Sequence, residues 1–229
     1  MSYHPTQSQE EMMVTAVVGV GAIGKTVAQL LVDGGERVML ASRDQAKATA
    51  LAKELGDRAD AASVRGAIDQ ADVIVFAVWF DAIKELIAEY ADLLPGKVVV
   101  DPSNALAADD QGDLTPILPE GQSAGSVIAG LSPARAHYVK AFGSLPAELL
   151  ASGAHRAPQR AALFYATDDD QAAAAVERLI AVAGFDPVKA GGVSDTGRVE
   201  VFGDLHPLGG LNGKLVTAEE GRAAVEASA

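Results

Sequence analysis

An open, doubly wound α/β sheet is the fold class this sequence predicts, and three observations predict it. Short β-rich runs alternate with segments whose apolar residues recur at helical spacing. The run "DVIVFAV", Asp72 to Val78, is apolar after its first residue, as in a strand buried on both faces of a parallel sheet. Glycines follow the first such run at once, where a parallel βα unit needs a tight turn.

The elements follow in order. Val14 to Val18 is a strand that ends at the glycines. Ile23, Val27, Leu30 and Leu31 mark one helix face, and Gly34-Gly35 stops that helix. Val38 to Leu40 is a second strand, and Asp44 can cap the helix whose apolar side is Ala48, Leu51, Ala52 and Leu55. After "DVIVFAV", Ile83, Leu86, Ile87 and Tyr90 mark another helix. "KVVVD" is a strand, and "DPSN", Asp101 to Asn104, turns out of it.

Residues 105–123 are rich in Asp, Gly and Pro and read as a long loop. A helix is expected over Ala124 to Leu131, a strand over Tyr138 to Phe142 and a short helix from Leu145 to Leu150. "ALFYA" is again a strand, followed by a helix with Val176, Leu179, Ile180 and Ala183 on one face. Asp168 to Asp170 stand at its N-terminal end, where the helix dipole favours negative charge; a metal site would need ligands from elsewhere too. Beyond Gly191 a helix is expected near Arg198 to Leu205, then a Gly-rich stretch. The expected organisation is a flexible leader over 1–12, a nucleotide-binding domain over 13–143, and a smaller C-terminal portion over 144–229 that completes the substrate site.

Composition excludes several classes of function. At 49% hydrophobic and 21% charged residues, the chain of 229 residues is globular rather than disordered. Its formal net charge of -13 argues against nucleic acid and anionic membrane as partners. There are no cysteines, so disulfide and thiolate chemistry are excluded. The first residues lack the basic start and apolar run of a signal peptide, and no run reaches the ~18 apolar residues of a membrane span. A cytoplasmic protein is expected. The histidines at 4, 137, 155 and 206 show no ligand spacing, so no metal site is expected.

The glycines after the first strand are Gly19, Gly21 and Gly24, in the spacing G-x-G-x-x-G. In a Rossmann-type fold Gly19 permits the turn, Gly21 lets the backbone approach a pyrophosphate, and Gly24 lets helix pack on sheet. The turn and the helix start, with Ala22 and Ile23, would hold the pyrophosphate. The plain alternative is a βα turn whose glycines serve packing alone. At the end of the second strand, where a carboxylate would bind the ribose of NAD, the chain has Ser42-Arg43, with Lys47 one turn on. A hydroxyl and two cations suit a 2′-phosphate, so the cofactor reads as NADP(H); the alternative for both cations is a solvated surface.

The segments "GVGAIG", "SRDQAK", "FAVWF", "DPSNAL", "VKAFGSLPAELL" and "GGVSDTGRVEVFG" together resemble the NADPH-dependent reductases of the deazaflavin coenzyme F420. The resemblance runs from about Val14 to about Gly203. It implies a Rossmann domain with a small C-terminal helical and loop portion, paired as a homodimer. It also implies 2′-phosphate binding by Ser42, Arg43 and Lys47, a nicotinamide beside Ala77, Val78 and Trp79, and F420 as co-substrate. Gly143 stands where related reductases often carry Asn.

Rival classes leave marks that this chain lacks. No tyrosine has a lysine four residues later, as a short-chain dehydrogenase requires. A β-hydroxyacid dehydrogenase or pyrroline-carboxylate reductase needs a larger helical domain than the residues after Phe142 supply. Hydride exchange between nicotinamide and deazaflavin needs two rings held in contact and no protein proton donor, so no catalytic side chain is expected. Trp79, Phe80 and Phe142 are candidate walls for the acceptor, with ordinary packing as the alternative for each. Asp101 and Asn104 would border the nicotinamide, either orienting its carboxamide or capping the turn. Reduction of another acceptor, a flavin or ferric complex, and a non-catalytic NADP-binding regulator remain as alternatives.

Overall fold

The computed structural model describes residues 13–109, 111 and 114–227. The expected leader lies outside the described residues. The first half alternates without interruption: β1 Thr15–Val18, α1 Ala22–Asp33, β2 Val38–Ala41, α2 Gln45–Leu55, β3 Ala59–Ala61, α3 Val64–Gln70, β4 Val73–Phe76, α4 Phe80–Glu89 and β5 Val98–Asp101. Then come β6 Leu106–Ala108, β7 Leu114–Pro116, α5 Ala124–Leu131, β8 His137–Lys140, α6 Ala147–Gly153, β9 Ala162–Ala166, α7 Asp170–Val182, β10 Asp186–Gly191, α8 Thr196–Val199 and α9 Ala218–Ala227.

Eight strands form one sheet in the order β10-β9-β8-β5-β4-β1-β2-β3. From β3 to β8 every neighbouring pair is parallel. β9 and β10 pair in parallel with each other, and β9 meets β8 in an antiparallel bridge between Lys140 and Ala166. The fold is Rossmann-type and doubly wound. β9 and β10, which come from the C-terminal portion, extend the sheet begun by the first half, so the sheet is continuous across residue 143.

The side-chain period of two explains the layers. Along β4, Val73 and Val75 join the core under α1, α2, α6 and α7, while Ile74 and Phe76 join the core under α3, α4 and α5. All four are fully buried, as the apolar run requires. A third, smaller core packs β9 and β10 against Val199 and Leu205, with Val216, Ala224 and Val225 beside it.

Capping follows the sequence. Asp44 Oδ1 accepts from Ala46 N at 3.1 Å at the start of α2. Asp169 Oδ1 accepts from Ala172 N at 2.8 Å, and Asp168 Oδ2 from Val193 N at 3.2 Å, so two members of the acidic triplet serve local structure.

Three expectations need correction. The long loop over 105–123 contains the antiparallel pair β6–β7, whose alternation is too short to stand out among Gly and Asp. The helix expected near Arg198 to Leu205 is the four-residue α8, ending at Val199; Arg198 instead pairs with Asp204 at 2.9 Å and donates to Val225 O at 3.1 Å. The Gly-rich tail goes on to form α9, in which Gly221 is buried: a Cβ there would meet Phe164 at 3.1 Å. Among the described residues no helix is long and apolar enough to cross a membrane.

Candidate functional site

Open parallel sheets leave a crevice beyond the C-terminal ends of their strands, at the point where strand order reverses. Here that point lies between β1 and β4, and a cleft of about 960 Å³ occupies it. The turns after β1, β2, β4 and β5 line it.

The three glycines divide into two kinds. Gly19 has φ +104°, which side chains rarely adopt, and a Cβ there would meet Ala77 O at 2.2 Å. A Cβ at Gly24 would meet Gly19 O at 1.9 Å. These two are required by the close crossing of β1, α1 and β4. Gly21 is different: its φ of -74° suits any residue, and a Cβ there would meet nothing within 4 Å. Packing alone therefore explains Gly19 and Gly24 but not Gly21, which lines the cleft. Gly21 is also the N-cap of α1, with no side-chain cap and no acidic residue in the first turn. The amides at the start of this helix are left for an anion.

At the β2 end, Ser42, Arg43 and Lys47 all line the same cleft. Ser42 Oγ accepts from Asp44 N at 3.3 Å, and Asp44 itself caps α2. Among the described residues Arg43 has no hydrogen bond or ion pair, and Lys47 lies 3.8 Å from Asp44 with its side chain 72% exposed. Two cations thus stand at the rim with no more than one loose counter-charge.

Beyond β4, Ala77, Val78 and Trp79 line the cleft, and Trp79 is 73% exposed at the N-cap of α4. The next residue turns away. Phe80 is 4% exposed and belongs to the core under α4, with Lys84 Nζ 4.6 Å from its ring. Phe142 is fully buried in the opposite core, with its backbone at φ +63°. Neither is a wall of the cleft. Both aromatic rings are packed into the helix layers, where apolar area gains most by leaving water.

The β5 end is a buried charge cluster. Asp101 is fully buried; its Oδ1 accepts from Ser103 N at 2.7 Å, and its Oδ2 from Tyr138 Oη at 2.9 Å and Lys140 Nζ at 3.1 Å. Lys140, 1% exposed, also donates to the Ser103 carbonyl and lies 3.3 Å from Glu200 Oε1. Glu200 in turn accepts from Ala124 N at 2.9 Å and Gly125 N at 2.7 Å, at the start of α5. Burial, then the neighbouring Asp101 carboxylate, pushes the Tyr138 phenol well above its ordinary value. Asn104 lines the cleft too, but its amide is taken: Nδ2 donates to Gly143 O at 3.2 Å and Oδ1 accepts from Val201 N at 2.8 Å. A Cβ at Gly143 would meet Pro102 O at 2.3 Å, so no side chain fits there. Of the residues read from the sequence, the cleft therefore gathers every cofactor candidate but Gly24, which lies beneath it.

Sequence reading missed several lining residues. Ser63, Val64, Ala82 and Leu86 line the cleft from α3 and α4, and Leu106 and Leu114 from β6 and β7. Helical spacing marked Leu86 as apolar without showing that its face was open. A second cavity of about 430 Å³ adjoins at Asn104 and Leu106, between the β6–β7 hairpin and Gly197 to Gly203. His206 is 1% exposed; burial lowers its imidazole to about 4, and its Nδ1 accepts from Leu208 N at 3.0 Å.

Residues 14–105 match the family described as NADP oxidoreductase, coenzyme F420-dependent, and this segment holds every cofactor candidate named above. A hypothetical protein from Sinorhizobium meliloti is 29% identical, with TM-score 0.76 over 88% of this chain and 95% of that one. A protein of Arthrobacter sp. FB24, provisionally assigned as an F420-dependent NADP reductase, is 26% identical, with TM-score 0.67 over 80% of this chain and 86% of that one. A reductive aminase from Aspergillus terreus shares the fold at 21% identity, with TM-score 0.58 over 80% of this chain but 56% of its own length. A search of curated proteins finds no match.

Proposed function

We propose that a chain whose residues 14–105 carry the match to the F420-dependent NADP oxidoreductases is itself an NADP(H)-dependent oxidoreductase, with coenzyme F420 as its hydride partner. The observation that carries the cofactor reading is the convergence in one cleft of a glycine that packing does not explain, Gly21, with Arg43, unpaired among the described residues, and the loosely paired Lys47. Gly21, Ala22 and Ile23 hold the pyrophosphate at the start of α1. Ser42, Arg43 and Lys47 hold the 2′-phosphate. Asp44, committed to capping α2, does not compete as a ribose ligand.

Bound there, NADPH supplies a hydride, and the deazaflavin supplies the carbon that accepts it. The protein positions the rings and keeps water out. Ala77, Val78 and Trp79 border the nicotinamide end, and the apolar Leu106 and Leu114 extend that border toward the second cavity. Asp101 is engaged with Tyr138 and Lys140, and His206 is buried as a neutral base, so neither serves as a proton donor. The chain acts as a homodimer through the segment Gly191 to Leu211, where Phe202 and Leu208 are 48% and 51% exposed.

Transfer of label tests the reaction. NADPH deuterated at C4 should deliver its label to reduced F420 during turnover. Label found in water, or tight NADPH binding without F420 turnover, would leave the cofactor reading standing and overturn the acceptor. Light scattering should give twice the chain mass at micromolar protein; a fully active monomer would overturn the dimer.

A further inference from the structure

The "DPSN" turn is held at almost every polar group. Asp101 Oδ1 takes the Ser103 amide, the Lys140 ammonium takes the Ser103 carbonyl, and Asn104 is bonded at both ends of its amide. One group is left over. Ser103 is 5% exposed, and its Oγ is buried without a hydrogen-bond partner. Among the described residues the other such atom is Arg178 Nε, but that guanidinium already makes two bonds to Glu36. Ser103 is therefore the described side chain whose buried polar atom makes no bond at all.

A buried hydroxyl without a partner is unfavourable, and a serine that served packing alone would be better as alanine. The turn around it is clamped by the buried Asp101–Lys140 ion pair, which holds the Ser103 backbone at the cleft and leaves the rotation of its hydroxyl free to meet a ligand there. It also lines the cleft, between Pro102 and Asn104, at the strand end beside Ala77 to Trp79. A hydroxyl offers one donor and two acceptor positions, and a primary carboxamide offers both a carbonyl and an N–H to meet them.

We propose that Ser103 is a cofactor-contacting residue whose Oγ takes the carboxamide of the nicotinamide ring, with Asp101 and Lys140 fixing the turn that presents it. The proposal rests on the NADP(H) reading above and adds the group that recognises the ring end. The 2′-phosphate cations hold one end of the dinucleotide; the hydroxyl sets the rotation of the ring at the other.

The test compares NADP⁺ with 2′-phospho-ADP-ribose, which keeps the phosphates and lacks the nicotinamide. Ser103→Ala should weaken NADP⁺ binding by ~3- to 10-fold, the worth of one neutral hydrogen bond, in titration calorimetry. Affinity for 2′-phospho-ADP-ribose should not change. The unliganded variant should melt no lower than the parent, since an unsatisfied hydroxyl has been removed. Ser103→Cys, of similar shape with a weak hydrogen-bonding group, should show the same selective loss if the alanine variant folds poorly. Equal losses for both ligands, or no loss for NADP⁺, would overturn the assignment. A loss seen only in the KM for the acceptor would overturn it too, because the hydroxyl would then face the other substrate. A parent chain that binds neither ligand would sink the NADP(H) reading first, and this assignment with it.

Discussion

Two ends of one cleft use cations in opposite ways. At the β2 end Arg43 and Lys47 are exposed, and their charge is left open toward solvent. At the β5 end Lys140 is buried between Asp101 and Glu200, hydrogen-bonded to Asp101 and the Ser103 carbonyl and ion-paired with Glu200. The first arrangement suits a ligand that brings its own negative charge. The second consumes the charge to hold β5, β8, α5 and the turn at Glu200 in one geometry. A lysine is therefore no evidence of a binding site until its partners are known: the same residue type stands exposed at the cleft in one place and serves architecture 93 positions later.

The largest expected effect breaks the buried end. Lys140→Met leaves Asp101 and Glu200 without their counter-charge and should lower stability by about 3 to 5 kcal/mol in urea denaturation. A loss below about 1 kcal/mol would show that water reaches the cluster. Arg43→Ala should stay within about 0.5 kcal/mol of the parent in the same experiment, as exposed substitutions do.

The next effect concerns burial without any counter-charge. His206 has its folded pKa lowered from 6.5 to about 4 by burial. The unfolded chain then binds the extra proton first. Stability from this group is whole above pH ~6.5, declines as pH falls, and is spent once pH passes through ~4, by at most about 3 kcal/mol. His206→Gln should flatten the stability profile across that window. A profile unchanged by the substitution would assign acid unfolding to the carboxylates.

The open end gives a smaller, selective effect. Arg43→Ala should weaken NADP⁺ by about 1.5 to 3 kcal/mol, the range for hydrogen bonds to charged groups, and leave NAD⁺ almost untouched. Equal losses for both would remove the 2′-phosphate from the argument. Smallest is the response to salt. Raising ionic strength should weaken NADP⁺ binding at the exposed cations through screening, yet leave the denaturation midpoint of the buried cluster nearly fixed. Parallel changes in the two would erase the distinction between the ends.

The legible parts of this sequence were those that local physics dictates. β1, α1, β2, α2, β4 and β5 followed from apolar period and turn glycines, and the Ser42-Arg43 pair followed from its place at a strand end. β3 and α3 were passed over, because Ala59 to Gln70 holds mostly alanine and polar residues and its burial comes from neighbours. α9 was not read either; the Gly221 within it is a poor helix residue whose place comes from Phe164, which a Cβ would meet at 3.1 Å. Phe80 and Phe142 show the other limit: an aromatic ring beside a site motif carries no mark of which way it faces. The links from Glu200 to Ala124 and from Asn104 to Val201 span 76 and 97 positions, and no local pattern announces them. Ser103 was invisible for the same reason, since an unsatisfied hydroxyl exists only once its surroundings are known.

Trp79 is the chain's single tryptophan, and it stands almost free of the protein at the mouth of the cleft. Its indole is already in a water-like setting in the folded state, so unfolding should shift its emission very little. A dihydronicotinamide beside it absorbs where indole emits and should quench it by energy transfer. The molecule's intrinsic fluorescence is then a poor gauge of folding and, on the proposed placement of the nicotinamide, should be a direct gauge of reduced cofactor, with the two states of NADP(H) told apart by the light of one residue.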